Sequence, residues 1–119
     1  MLSSTDARNI INGYEIPSEN YCDQPYTVIT RDGVWLCAMT TGRGVEGVSG
    51  QHVVSTRSAD QGKSWSPLVD IEPADGPEAS WVMPLIVPSG RIYAIYVYNG
   101  DNLRQVISDD GPITRVDSL

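Results

Sequence analysis

The chain has 119 residues and a formal net charge of −7, from 15 acidic and 8 basic side chains. With 40% hydrophobic residues, this length supports one small packed domain or part of a larger one, and not a disordered acidic tail. The acidity and the single lysine exclude nucleic acid and anionic membranes as expected partners, and no apolar run could span a bilayer. The first residues have neither the basic nor the apolar stretch of a signal peptide, so none is expected and the compartment stays open.

The residue pattern predicts strands and turns rather than helices. In the first half, four strands are predicted, at 25–30, 34–41, 51–57 and 68–71. The tight turn Arg31-Asp32-Gly33 would pair residue 28 with Cys37 and keep Cys22 away from that cysteine. Free thiols are therefore favoured over a disulfide, with a bridge as the alternative and the redox state open.

No metal or cofactor is expected. One histidine and no close pair of cysteines argue against zinc. The stretch Gly42–Gly47 spells G-x-G-x-x-G, but a predicted strand follows it instead of a helix. A dinucleotide-binding turn needs that helix, so the motif does not predict such a site.

The strand pattern begins again after residue 80, with strands at 81–87 and 91–98 around a turn at 88–90. Three landmarks recur at nearly one offset: Pro25 and Pro84 are 59 positions apart, Gly33 and Gly90 57, and Gly42 and Gly100 58. A four-stranded repeat of this length is typical of propeller blades. The second unit has no recognisable fourth strand. We predict an all-β fold of about two four-stranded antiparallel blades: a lead-in at 1–20, a first blade at 21–72, a connector at 73–79 and an incomplete second blade at 80–119.

The octet at 58–65, Ser-Ala-Asp-Gln-Gly-Lys-Ser-Trp, has the form Ser-x-Asp-x-Gly-x-x-Trp. It resembles the Asp-box, or bacterial neuraminidase repeat, of sialidase-like six-bladed β-propellers. In such a turn the carboxylate can accept backbone N–H bonds, glycine permits positive φ and the indole packs over the loop. The resemblance implies a structural role for Ser58, Asp60, Gly62 and Trp65.

The resemblance extends from about Tyr14 to Asn102. Sialidases carry Tyr-Arg-Ile-Pro or Phe-Arg-Ile-Pro before the first strand, and that Arg grips the sialic acid carboxylate. Here the stretch is Tyr14-Glu15-Ile16-Pro17, with Glu15 at the Arg position. Because an acidic residue would repel a carboxylate, either the substrate differs or the match is fortuitous.

The loop at 44–52 lies where sialidases carry the acid/base Asp. Glu46 is the best chemical match for that role, and a solvated loop charge is the alternative. His52, at the start of a strand, could bind sugar hydroxyls or move a proton, although a lone histidine at a strand end is more often a structural rim residue.

Residues ahead of the innermost strand of each blade are candidates for one shared polar mouth. Asp23 and Gln24 precede the first such strand, and Glu78 and Trp81 hold the matching place in the second. Carboxylates and an amide bind hydroxyls, and an indole stacks on a sugar ring. Asp23 is a second catalytic candidate beside Glu46, while Gln24, His52, Glu78 and Trp81 are candidates for substrate binding. Turn capping by Asp23 and core packing of Trp81 are the alternatives.

Three functional hypotheses follow. The resemblance implies a fragment of a sialidase-like glycoside hydrolase that acts on glycans outside the cytoplasm. Retaining hydrolysis would use a Tyr nucleophile supported by a Glu, an acid/base carboxylate and an Arg triad, with the nucleophile and the remaining arginines supplied by later blades. A non-catalytic carbohydrate-binding or structural propeller module is the alternative, favoured by Glu15. In the third, copies of the chain assemble, three of them closing a six-bladed ring.

Overall fold

The computed structural model describes residues 3–98, 102–108 and 114–115. Within these ranges the chain forms a short 3-10 helix, Ile10–Asn12, and eight strands: β1 Tyr21–Ile29, β2 Trp35–Gly42, β3 His52–Ser58, β4 Val69–Glu72, β5 Ala79–Ile86, β6 Ile92–Tyr98, β7 Asn102–Ser108 and β8 Thr114–Arg115. They make two four-stranded sheets, ordered β1-β2-β3-β4 and β5-β6-β7-β8. All neighbouring strands run antiparallel. The predicted all-β fold of two blade-like sheets is confirmed.

The second sheet contains a fourth strand that the sequence pattern did not reveal. β8 is only two residues long and pairs with Val106 and Ile107 of β7. Two residues are too few to show the alternation by which a strand is recognised in sequence. The expectation of a second unit without a fourth strand is therefore wrong. Gly100, the last landmark of the repeat, lies outside the described residues.

The first hairpin turn is one residue longer than predicted. The Thr30 amide donates to the Val34 carbonyl at 2.9 Å, and the Gly33 amide donates to the Thr30 carbonyl at 3.0 Å. The loop thus holds three residues, 31–33, and its last residue Gly33 has a φ of +84°. Leu36 consequently faces Val28. The predicted pairing of residue 28 with residue 37 is wrong by one position.

Both cysteines are free thiols, as favoured from the sequence. Cys37 pairs with Thr27 across the hairpin, whereas Cys22 pairs with Thr41. Cys22 Sγ instead lies 3.4 Å from Met39 Sδ. Burial raises the pKa of the Cys37 thiol, which favours the neutral form that packs as a small apolar group.

The strand pairing fixes the offset of the structural repeat at 57 residues. The pair that closes the first hairpin, Ile29–Trp35, recurs as Ile86–Ile92. Pro84 therefore corresponds to Thr27 and not to Pro25. Of the described landmarks, only the two glycines of the hairpin turns are structurally equivalent. The repeat predicted from the sequence is real, but the match between its prolines is not.

The two sheets pack against each other through a buried cluster formed by Ala38, Val53, Ile71, Ala79, Val82, Ala94 and Tyr96. The Tyr96 hydroxyl is buried and donates to Oε1 of the buried Glu72 at 2.7 Å. This bond pairs polar atoms that would otherwise be costly to bury. The side chains of Tyr96 and Glu72 therefore add a buried polar contact beside the apolar cluster.

The second sheet has one covered face and one open face. Tyr96 is buried, whereas Met83 and Leu85 are 57% and 49% exposed. Met83 pairs with Ile95, and Leu85 pairs with Tyr93. Side chains of residues directly opposite in a ladder share a face, so these four form an apolar strip. We call this set the outer strip.

The turn at 58–65 holds its aspartate by bonds within the turn itself. Asp60 Oδ1 accepts from the Ser64 amide and from the Ser58 hydroxyl, both at 2.8 Å. The Ser64 hydroxyl donates to Asp60 Oδ2 at 2.5 Å. These bonds, those from Ser64 first, lower the pKa of Asp60 to about 2. The carboxylate therefore accepts N–H and O–H donors inside the turn, as expected for this octet.

The glycine of the same turn lies under two tryptophans. Gly62 has a φ of +87°, and a Cβ added there would lie 3.0 Å from the Trp35 ring. Trp65 Nε1 donates to the Gly62 carbonyl at 3.1 Å. Only glycine combines this backbone conformation with such close ring packing.

Candidate functional site

A pocket of about 200 Å³ lies beside the first strand of each sheet, and we call it the shared pocket. It is lined by Tyr21, Asp23, Glu46, Gly47, Gln51, Glu78, Ser80 and Trp81. Four of these residues are catalytic or substrate-binding candidates from the sequence, where they lie in three separate segments: Asp23, Glu46, Glu78 and Trp81. The structure brings these four residues together.

A β-bulge near the start of each innermost strand shapes the wall of this pocket. The register shifts between Asp23 and Tyr26 in β1, and again after Ser80 in β5. Gln24 and Trp81 occupy equivalent bulge positions, with φ of 49° and 57°. A bulge redirects side chains, and Trp81 is 62% exposed. The indole is therefore a pocket residue, and the alternative of core packing is wrong.

Hydrogen bonds fix the start of β5 against the first sheet. The Trp81 amide donates to Thr40 Oγ1 at 3.0 Å, and the Ala79 amide donates to the Gln51 carbonyl at 3.2 Å. Both bonds join the backbone around Ser80 to β2 and to the residue before β3. The pocket wall contributed by the second sheet is thus held in place by the first.

The loop between β2 and β3 supplies Glu46. Gly47 and Gly50 have φ of 82° and 95°, which lets the chain reverse twice over a short distance. Gln51 is 5% exposed. In the amide orientation that satisfies both of its polar atoms, its nitrogen lies 2.5 Å from Glu78 Oε1 and its oxygen 3.1 Å from the Gly47 amide. Gln51 thereby ties the Glu46 loop to Glu78.

The pocket carries negative charge. Its lining, among the residues that the structure describes, holds three carboxylates and no basic side chain. Loss of hydration raises the pKa of Tyr21 to about 12, and a hydrogen bond with Asp23 and the charges of Asp23 and Glu46 act in the same direction. The Tyr21 phenol is therefore neutral at physiological pH and available as a hydrogen-bond donor.

His52 lies in a different pocket, of about 560 Å³, whose lining also includes Glu19, Arg43, Asp70 and Asp75. The imidazole is 4% exposed. β3 starts at His52, and successive residues of a strand point to opposite faces, which directs this side chain away from the shared pocket. The structure does not place His52 with the other sugar-binding candidates.

Two further sequence positions also lie apart from the shared pocket. Gln24 is exposed and does not line it. Glu15 lines a separate depression with Ile10, Gly13 and Tyr14. Gln24 shares its bulge position and left-handed backbone with Trp81, which does line the pocket, so the bulge alone does not decide which of the two side chains enters it.

Sequence reasoning missed Tyr21 and Gln51. Tyr21 lies two residues before Asp23, and alternate residues of a strand share a face, so this spacing could have identified it. Gln51 lies inside the loop that was singled out, but its contact with Glu78 joins residues 27 positions apart. No local pattern indicates such a contact.

Carboxylates near an exposed indole suit the binding of a sugar ring and proton transfer to it. Within the described residues, no group of three or more His, Cys, Asp or Glu side chains is arranged to hold a metal ion. No helix in the same ranges has the length and apolar character needed to cross a membrane.

Comparison with solved structures places the fold of this chain among sialidase-like all-β proteins. The Hadza microbial sialidase Hz136 matches it with a TM-score of 0.66 and 17% sequence identity. The match covers 85% of this chain and 26% of the sialidase, so the chain spans about a quarter of that protein. No protein-family model matches the sequence, and no curated protein does. At this identity the likeness establishes the fold alone.

Proposed function

We propose that this chain forms two blades of a sialidase-like glycoside hydrolase propeller and that the shared pocket binds a glycan. The observation that carries the proposal is the convergence of Asp23, Glu46, Glu78 and Trp81 in one pocket beside the first strands of both sheets. In this proposal the octet at 58–65 is an Asp-box that stabilises the first blade, because its carboxylate bonds inside the turn.

Each pocket residue has a distinct role in the proposal. Glu46 is the general acid/base, since it lies on a loop that faces the pocket and can exchange a proton with a glycosidic oxygen. Asp23 accepts the Tyr21 hydrogen bond and binds a sugar hydroxyl or assists Glu46. Trp81 stacks on the ring, and Gln51 orients Glu78.

The charge of the pocket favours neutral or amino sugars over sialic acid. Three carboxylates repel an anionic ligand, and among the described residues that line the pocket none supplies the guanidinium that would bind its carboxylate. Glu15, at the position where the resemblance implies Arg, agrees with this choice. The proposed substrate is therefore a glycan whose terminal sugar carries no acidic group.

The proposed partner of the outer strip is a further blade. In the first sheet, Ala38 is the β2 residue equivalent to Ile95, and it lies in the buried cluster between the two sheets, so the 57-residue repeat supports a similar partner for the second sheet. A ring of copies is less well supported. In such a ring, the face of the first sheet that points away from the second sheet would have to be open to receive a neighbouring copy. On that face, Cys37 and Met39 are already 0% exposed within one chain.

A panel of immobilised oligosaccharides that end in neutral, amino or sialic acid sugars tests the proposed ligand. We expect the purified chain to bind members with neutral or amino termini and Trp81→Ala to lose at least about tenfold in affinity, as a stacked aromatic anchor would. Tyr14→Ala, which removes another exposed aromatic side chain far from the pocket lining, is the matched control. Equal binding by wild type and Trp81→Ala, or preference for sialic acid, would contradict the proposal.

A non-catalytic carbohydrate-binding module is the second candidate, favoured by Glu15. In the main proposal the nucleophile comes from other blades, so the chain alone is expected to show no turnover of fluorogenic glycosides. Fusing the chain to the later blades of a related hydrolase separates the two candidates. Hydrolysis that is lost in Glu46→Gln supports an acid/base role, whereas glycan binding without hydrolysis supports the module.

A further inference from the structure

A buried histidine lies between two carboxylates in the pocket outside the candidate sugar site. His52 Nε2 is 3.2 Å from Glu19 Oε1, and His52 Nδ1 is 3.1 Å from Asp70 Oδ1. Both ring nitrogens are buried, and neither contact has the alignment of a regular hydrogen bond. Oppositely charged groups at this distance attract each other strongly when the imidazole is protonated.

These contacts join three segments that are distant in sequence. Glu19 belongs to the lead-in before β1, His52 begins β3 and Asp70 lies in the edge strand β4. The lead-in has further anchors at the same point. The Glu19 amide donates to Thr41 Oγ1 at 2.9 Å, and Asn20 Nδ2 donates to the Gly44 carbonyl at 3.1 Å. The second bond reaches the loop that carries Glu46.

The imidazole can match both carboxylates only in its protonated form. An imidazolium has an N–H on each nitrogen, whereas a neutral imidazole has one N–H and one lone pair. In the neutral form, one carboxylate oxygen therefore faces a lone pair at about 3 Å, which is repulsive. The other charged residues that line this pocket are Arg43, which opposes protonation, and Asp75, which favours it.

We propose that Glu19, His52 and Asp70 form a pH-dependent clasp that fastens the lead-in and β4 to the first sheet when His52 is protonated. When the imidazole is neutral, one of the two contacts is lost and the clasp loosens. Because Asn20 follows Glu19 directly, loosening also weakens one anchor of the loop at 43–50, the bond from Asn20 to the Gly44 carbonyl. The clasp does not depend on glycan binding, so its failure would leave the proposed function untouched.

Amide hydrogen exchange of the full chain, corrected for intrinsic rates, tests the clasp at about pH 5.5 and about pH 8, which bracket the usual histidine titration. In the wild type we expect the protection of the Glu19 amide or of the β4 amides to fall several-fold at the higher pH. Glu19→Gln and Asp70→Asn each leave one carboxylate, which a single N–H can satisfy. Both variants should therefore show a smaller pH dependence.

Asp75→Asn is the matched control, because it removes one negative charge from the same pocket without removing a His52 contact. It should keep the wild-type pH dependence. Equal protection at both pH values in the wild type would overturn the clasp. An undiminished pH dependence in both Glu19→Gln and Asp70→Asn would do the same. These two side chains are 28% and 53% exposed, so the variants are expected to fold.

Discussion

The turn at 58–65 and the shared pocket both contain carboxylates, but the groups are used differently. Asp60 accepts hydrogen bonds from Ser58 and Ser64 within its own turn. Asp23, Glu46 and Glu78 instead line a common cavity with Trp81. A carboxylate whose acceptor sites are filled within its own turn stabilises the fold, whereas carboxylates around a cavity remain available to a ligand. Changes in the turn should therefore affect stability, and changes in the pocket should affect binding.

The largest loss of stability is expected for Gly62→Ala. Alanine at this φ costs about 1–2 kcal/mol in the free energy of unfolding, and its Cβ also meets the Trp35 ring, which adds about 1 kcal/mol. Gly33→Ala is the control, because its φ is nearly the same and nothing lies within 4 Å of the added carbon. Urea unfolding measures both variants. An equal loss in the two would show that the packing under Trp35 contributes nothing.

A smaller, pH-dependent loss is expected for Asp60→Asn. The pKa of Asp60 is lowered from 3.8 to about 2, so its ionised form contributes stability above the ordinary value, and that contribution is lost as pH falls toward about 2. The difference in thermal unfolding midpoint between wild type and Asp60→Asn should be constant near neutral pH. It should decrease toward zero in acid. A gap that persists unchanged at about pH 2 would contradict the role assigned to this carboxylate.

A still smaller effect on stability is expected from the ionisation of Tyr21 in the pocket. Its pKa is raised from 10.0 to about 12, so the neutral phenol contributes stability that is fully present below 10.0 and is lost as pH rises from there through the folded value. Ultraviolet titration should resolve one late phenol, absent in Tyr21→Phe. Asp23→Asn should move that titration toward 10.0, since it removes the Asp23 charge and leaves only a neutral hydrogen-bond acceptor. If the titration were unchanged in Asp23→Asn, the charge of Asp23 would have no effect on the pKa of Tyr21.

The sequence predicted the parts of this molecule that depend on local pattern. Strand alternation and turn residues identified both hairpins, and the spacing of Asp60, Gly62 and Trp65 indicated a turn bonded to itself. The start of the innermost strand in each unit also indicated that Asp23 and Trp81 belong to one pocket, because repeated strands begin at the same edge.

The parts that the sequence did not predict depend on distant contacts or on single-residue geometry. The hairpin register shifted by one because Thr30 and Val34 close a three-residue loop. The bulges at Gln24 and Trp81 could not be predicted, because neither residue type is characteristic of a bulge. His52 does not line the shared pocket, because its ring lies between the carboxylates of Glu19 and Asp70. These two residues are 18 or more positions away from His52 in the sequence, one on either side.

The most direct test of the contrast between turn and pocket is a paired measurement on Glu46→Gln, of urea unfolding and of binding to a neutral oligosaccharide identified on the panel. The account predicts an unfolding free energy within about 0.5 kcal/mol of wild type and a clear loss of affinity. The opposite pattern, a destabilised chain with wild-type affinity, would make Glu46 a structural residue like Asp60 and contradict the assignment of the shared pocket as a glycan site.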